Sequence, residues 1–224
     1  MSRPRFETAE IATDRLVTLT DGVFAIAMTI LVLELAIPGT ERLVTDAELG
    51  ELLLEGWADF LIYGLSFLVL GMFWMMHHAI FDAVTHYDFA LQWLNITFLL
   101  FACLIPFSTA LFGEHGTTRT TALVYGFNML MIFGSLWALW AYATRGKRLV
   151  SSELDPQMLR GANLMGGLYA LLILIPILLA FVSPIASFAL YGVVVFGFFI
   201  STALGRWDTV MVLPTVRRRA RGSL

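Results

Sequence analysis

The chain has 224 residues, 58% hydrophobic and only 14% charged, with mean hydropathy +0.80, where an ordinary soluble domain carries about 25% charged residues. That balance excludes a water-soluble single domain, and because a bilayer-spanning helix takes about 20 apolar residues, several spans consume nearly the whole length. A single cysteine, Cys103, excludes an intramolecular disulfide framework, and the net charge of −3 decides less than the distribution of charge along the chain.

The segment before the first apolar run mixes Arg3, Arg5, Glu7, Glu10, Asp14 and Arg15 without a small-residue cleavage site, so no removable signal peptide is predicted. Apolar runs follow at about 16–37, 57–78, 89–112, 121–143, 162–182 and 185–204. Each is too long for a strand and lacks the period-2 alternation of a barrel, so helices that satisfy their own backbone are the physical choice. The expected architecture is all-α: a polytopic membrane protein with six transmembrane helices, forming one transmembrane domain over 1–224 with a short N-terminal segment and a basic C-terminal tail. Pro106 and Pro176 lie inside runs and predict kinks, and Ser183-Pro184 predicts a tight hairpin between spans five and six.

Basic residues orient the bundle, because positive loops near the spans stay cytoplasmic. Arg3, Arg5 and Arg15 precede span one; Arg145, Lys147, Arg148 and Arg160 separate spans four and five; Arg206, Arg217, Arg218, Arg219 and Arg221 follow span six. Only Arg42 and Arg119 fall on the other side, which predicts cytoplasmic termini in a multi-pass plasma-membrane protein. The first outer loop is acidic, with Glu41, Asp46, Glu48, Glu51 and Glu55. It is either a cation-concentrating mouth or a solvated face.

Span one is unusual in carrying Arg15, Thr20 and Asp21 at its inner end, where charge is expensive at membrane depth. Arg15 and Asp21 differ by about 120° in direction and roughly 9 Å in height on a helix, too far apart to pair well. Partners on neighbouring helices at that depth are Trp74 and His77, near the inner end of span two, and Asn95, early in span three. A polar layer of Arg15, Thr20, Asp21, Trp74, His77 and Asn95 would fix the rotation of helix one; the alternative for Arg15 and Asp21 is the headgroup zone. Farther out, Gly22, Ile26, Ile30, Leu33 and Ile37 form one stripe. Composition leaves open whether it faces lipid, protein or a pore. Thr29 flanks the stripe, and its hydroxyl either bonds its own helix or a polar partner.

The string Arg15-x-x-x-Leu19-Thr20-Asp21, followed by an apolar helix, resembles the first-helix signature of the transmembrane protein 175 family of potassium channels, usually written Arg-x-x-x-Phe-Ser-Asp. Tyr63-x-x-Ser66-Phe67, Phe73-Trp74-x-x-His77-His78, Leu94-Asn95 and Pro106-Phe107-Ser108-Thr109 extend the likeness over roughly the first half of the chain. Leu19 replaces the signature aromatic, while Thr20 keeps the hydroxyl. The resemblance implies a homotetramer in which helix one of each subunit lines a central cation pathway without a selectivity-filter loop. It places the family's hydrophobic constriction on Ile26, with Ile30 and Leu33 on the next turns. Thr29 would tune selectivity behind the ring. By its position near the outer end of span one, Glu34 either forms a cation-attracting ring at the outer mouth or snorkels to the interface. The implied function is a potassium-preferring channel that gates by dewetting an aliphatic ring; the alternatives are a proton-permeable channel or, more distantly, a secondary transporter.

Other features point nowhere sharper. His77 and His78 diverge by about 100° on a helix, and His86 and His115 add no ligand spacing, so no metal site or cofactor is expected beyond the permeant potassium ion. No nucleophile or metal constellation suggests an enzyme. The arginine tail reads as an anchor on anionic lipid rather than a nucleic-acid surface. Gly161, Gly166, Gly167, Gly192, Gly197 and Gly205 are expected to permit close helix contacts.

Overall fold

The computed structural model describes residues 5–35, 45–151 and 154–203, and among them it is all-helical, with one isolated β-bridge between Val84 and Val150. The helices are α1 (Arg5–Ile30), continued by a 3-10 turn over Leu31–Glu34, α2 (Asp46–Glu55), α3 (Trp57–Ala83), α4 (Phe89–Ala102), α5 (Ile105–His115), α6 (Arg119–Thr144), α7 (Pro156–Leu172), α8 (Leu174–Leu179) and α9 (Pro184–Ala203). Arg3, Glu41, Arg42, Ile37, Gly205, Arg206 and the tail arginines lie outside the described residues.

Five helical stretches are long and apolar enough to cross a membrane: Arg15–Glu34, Trp57–Ala83, Phe89–His115, Arg119–Lys147 and Pro156–Leu179. The sixth predicted run forms α9, whose apolar part, Pro184–Gly197, is shorter. The chain is a multi-pass membrane protein. The acidic outer loop differs from expectation in containing a helix, α2, opened by a capping box in which Thr45 and Glu48 satisfy each other's backbone amides.

The two intramembrane prolines break their helices at matching places. A proline ring collides with the carbonyl four residues earlier, and α4 ends at Ala102, four before Pro106, while α7 ends at Leu172, four before Pro176. Pro106 then sits in the first turn of α5, where its missing N–H is harmless. The Pro176 carbonyl accepts a 2.7 Å hydrogen bond from the buried Ser187 hydroxyl of α9, which ties the hairpin of α8 and α9.

α6 is the central pillar, half buried within the subunit and in contact with α3, α4, α5, α7, α8 and α9. Lipid is as apolar as leucine, so close packing and hydrogen bonds hold such helices together. Phe73 meets Phe133 of α6 edge-on at 4.8 Å, and Gly126 leaves the space in which the Tyr191 hydroxyl reaches the Ala122 carbonyl. Gly166 and Gly167 receive the Trp137 ring, as their small size suggested, whereas Gly161, Gly192 and Gly197 meet nothing within 4 Å inside the subunit.

At the end of the bundle that holds the α3–α4 connection, Asp88 caps α4 by accepting from the Leu91 amide, and also accepts from the Tyr142 hydroxyl at 2.6 Å and lies 3.3 Å from the Arg148 guanidinium. Burial pushes the Asp88 carboxyl up, but the Tyr142 bond, the Leu91 and Ala90 amides and Arg148 outweigh it and hold the group below the usual carboxylate range. With the Thr85 amide on the Leu149 carbonyl at 2.8 Å, this clamps the α3–α4 connection to the segment after α6.

Candidate functional site

Helix α1 has two opposite faces. Leu16, Thr20, Phe24, Ala27 and Leu31, at spacings of four, four, three and four, form a buried ridge against α3, α4 and α5. Phe24 stacks on Phe98 of α4 at 5.8 Å, and both Phe24 and Leu31 are only 1% exposed. The far side carries Gly22, Ile26, Thr29, Ile30 and Leu33, with Ile26 61%, Ile30 40% and Leu33 77% exposed. The stripe read from periodicity is therefore the outward surface of this subunit.

Thr20, the polar residue on the buried ridge, organises the N-terminal part of the span. Thr20 donates to the Leu16 carbonyl at 3.0 Å and accepts from Asn95 Nδ2 at 3.3 Å. Asn95 Oδ1 faces His77 Nε2 at 2.8 Å, and His77 Nε2 is 3.4 Å from the Thr20 oxygen. Because Asn95 presents its carbonyl oxygen, the network assigns the proton to Nε2 and leaves Nδ1 as an acceptor, which has no partner among the described residues. Thr20, His77 and Asn95 are all fully buried, and the His77 ring lies between Phe81 at 4.2 Å and Phe98 at 5.5 Å. One triad thus joins α1, α3 and α4.

A second cluster adjoins it. Asp21 accepts from Trp74 Nε1 at 2.8 Å, and His78 Nε2 is 3.6 Å from the same carboxylate oxygen. The other His78 nitrogen, Nδ1, is 3.3 Å from the Trp74 carbonyl, so both ring nitrogens face acceptors. Trp74, His77 and His78 stand at i, i+3 and i+4, one face of α3 turned to α1. His78 was left out of the predicted polar layer; its i+4 spacing from Trp74 was the available signal. Arg15 joins neither cluster: it is exposed and has no hydrogen bond or ion pair among the described residues.

Beyond the triad the character of α1 changes. Among the described residues no side-chain hydrogen bond links its outer half to another helix. Thr29 donates to the Ile26 carbonyl of its own helix at 2.9 Å, leaving its oxygen lone pairs outward. Between this half and α5 runs a cleft of about 520 Å³, lined by Ile26, Ile30, Cys103 and Phe107 and bordered by Glu34 and Glu114. Among the described residues no group of three or more His, Cys, Asp or Glu could hold a metal ion.

Helix α1 thus combines two opposed faces with a buried polar triad, and Glu34 closes the 3-10 turn that continues it. The family model described as "Endosomal/lysosomal potassium channel TMEM175" matches residues 15–106. The chain is 31% identical over 182 residues to "Potassium channel B446_29190" of Streptomyces collinus, covering 80% of this chain and 87% of that protein. The crystal structure titled as a lysosomal potassium-selective channel TMEM175 homolog from Chamaesiphon minutus superposes with TM-score 0.73 at 30% identity, covering 84% of this chain and 97% of that one. "Endosomal/lysosomal proton channel TMEM175" of Danio rerio is 28% identical over 141 residues, 60% of this chain but only 27% of that protein. The chain belongs to the TMEM175 family.

Proposed function

We propose that the protein is a potassium-preferring cation channel of the plasma membrane, assembled as a homotetramer with α1 of each subunit at the central axis and both termini in the cytoplasm. The observation that carries this is the exposure of Ile26, Ile30 and Leu33 directly opposite the buried ridge of Phe24, Ala27 and Leu31. Around a symmetry axis those side chains form stacked aliphatic rings. Such a constriction excludes water, and an ion that cannot exchange its hydration shell for other oxygens meets a high barrier. Opening must widen or rotate the rings. Thr29 offers its outward lone pairs just behind them and tunes selectivity, Glu34 concentrates cations at the outer mouth, and the layer from Thr20 to Asn95 sets the rotation of α1. The relatives' names support the ion, and the reading involves no chemical step, so it assigns no enzymatic activity.

The test is reconstitution in planar bilayers under a potassium/sodium gradient, with protomers counted by native mass spectrometry on the same sample. A reversal potential near the potassium value, four protomers, and increased current with weaker ion preference in Ile26→Asn are expected. Unchanged conductance and preference in Ile26→Asn would place the barrier elsewhere. The Danio rerio relative's name gives proton permeation as the second reading, which the same recording separates by varying pH at constant potassium.

A further inference from the structure

The outer half of span three is a helix of its own. The break at Cys103 and Leu104 disconnects α5 from α4, so α5 does not inherit its position from the triad that holds α4 to α1. Yet α5 is the wall that faces Ile26 and Ile30 across the cleft, and it packs against α1 and the 3-10 turn. Its placement must come from its other neighbours.

Two buried hydrogen bonds supply it. Thr109 of α5 donates to the Ser66 hydroxyl of α3 at 2.9 Å, and Asn128 of α6 donates through Nδ2 to the Ser108 hydroxyl at 3.2 Å, Ser108 itself donating to the Ile105 carbonyl at 3.0 Å. All four residues are at most 5% exposed. These two links cross to α3 and α6, while along the cleft α5 presents Pro106, Phe107, Ala110 and Leu111 toward α1, with Glu114 at its far end and no side-chain hydrogen bond to α1 among the described residues. The anchor is also incompletely satisfied: Asn128 Oδ1 is buried with no partner among the described residues. A group needed only for packing would be better replaced by leucine, which has the same shape and nothing to satisfy. Retaining the amide makes sense where a directional contact fixes a register.

We propose that the Ser66–Thr109 and Ser108–Asn128 hydrogen bonds set the position of α5 behind the constriction, which makes Thr109 and Asn128 positioning residues for the outer half of α1. The proposal rests on the channel reading for its functional consequence, but its geometric part has an independent readout. Cys103, the only cysteine in the chain, is exposed and lines the cleft between α5 and α1, so its rate of modification by an apolar maleimide reports the width of that cleft.

The experiment compares wild type, Asn128→Leu, Thr109→Val and Thr109→Ser in detergent and in bilayers. Loss of one net hydrogen bond shifts an equilibrium about five-fold, and a change of that order is expected in both Cys103 modification rate and open probability for Asn128→Leu and Thr109→Val. Thr109→Ser restores both. Asn128→Leu removes an unsatisfied group and leaves Ser108 bonded to Ile105, so it folds, and it is the deciding variant should Thr109→Val not fold. If Asn128→Leu leaves modification rate and open probability at wild-type values, α5 is held by packing alone and the proposal is overturned. If the modification rate shifts while no variant, wild type included, conducts, the anchoring role stands and the channel reading fails.

Discussion

The Thr20 hydroxyl accepts from the Asn95 carboxamide at 3.3 Å while donating to the Leu16 carbonyl, so a residue 75 positions away in the chain ties α1 to α4. Removing Asn95 also strips His77 Nε2 of its acceptor. Buried intramembrane hydrogen bonds are worth about 0.6 to 2 kcal/mol each. Asn95→Leu is expected to lower stability by about 1 kcal/mol through the altered His77 environment, with Thr20→Ser near wild type and Thr20→Val intermediate, as checked by thermal unfolding in detergent.

In the proposed channel, the opposition of buried Phe24 and exposed Ile26 should separate stability from conduction. Phe24→Ala empties a fully packed site beside Phe98 and is expected to cost about 3 kcal/mol. Ile26→Ala acts on the exposed face and is expected to change subunit stability by less than about 0.5 kcal/mol while raising conductance. Unfolding midpoints and single-channel currents on the same two proteins check the contrast; equal destabilisation by both would contradict the two-faced description.

Acid should loosen the inner clamp at Asp88. Its carboxyl is held below the ordinary value in the folded protein, so its contribution to stability is complete above the unfolded carboxylate pKa and is lost as pH falls through the folded one. Asp88→Asn is expected to be less stable than wild type at pH 7 and to converge on it as the pH falls below the ordinary carboxylate range. Thermal unfolding of both proteins across that interval measures the difference, and parallel curves would rule the coupling out.

A methyl group at Gly126 would collide with the Tyr191 hydroxyl. Gly126→Ala is expected to cost about 1–3 kcal/mol by forcing α8 and α9 away from α6, and the added variant Tyr191→Phe should recover only part of it, because Ile177 still crowds the methyl. Unfolding midpoints of the single and double variants test this.

Much of this arrangement was legible in the residues because an apolar helix can hide neither a polar group nor a proline. Thr20, His77 and Asn95 had to find partners at one depth, and Pro106 and Pro176 had to break their helices. Arg15 was grouped with them on charge and depth alone, but its long stem lets the guanidinium leave for the interface. The helix α2 was hidden by its acidity, although Thr45-x-x-Glu48 spells a capping box. Gly126 escaped because nothing local distinguishes it from the glycines that meet no neighbour; its partner is 65 residues away, and only the packed bundle brings them together.

Among the described residues, the polar ties of α1 to neighbouring helices sit at Thr20 and Asp21, so the half beyond them behaves as a beam clamped at one end. From Thr20 to Leu33 the beam is about 20 Å long, and a 5° tilt at the clamp would sweep its tip by about 2 Å. In the proposed tetramer four such tips move together, so a small angular change among inner side chains would become a difference in bore of about a water molecule's diameter. The mechanical advantage lies in where the clamp is placed, far from the point it controls.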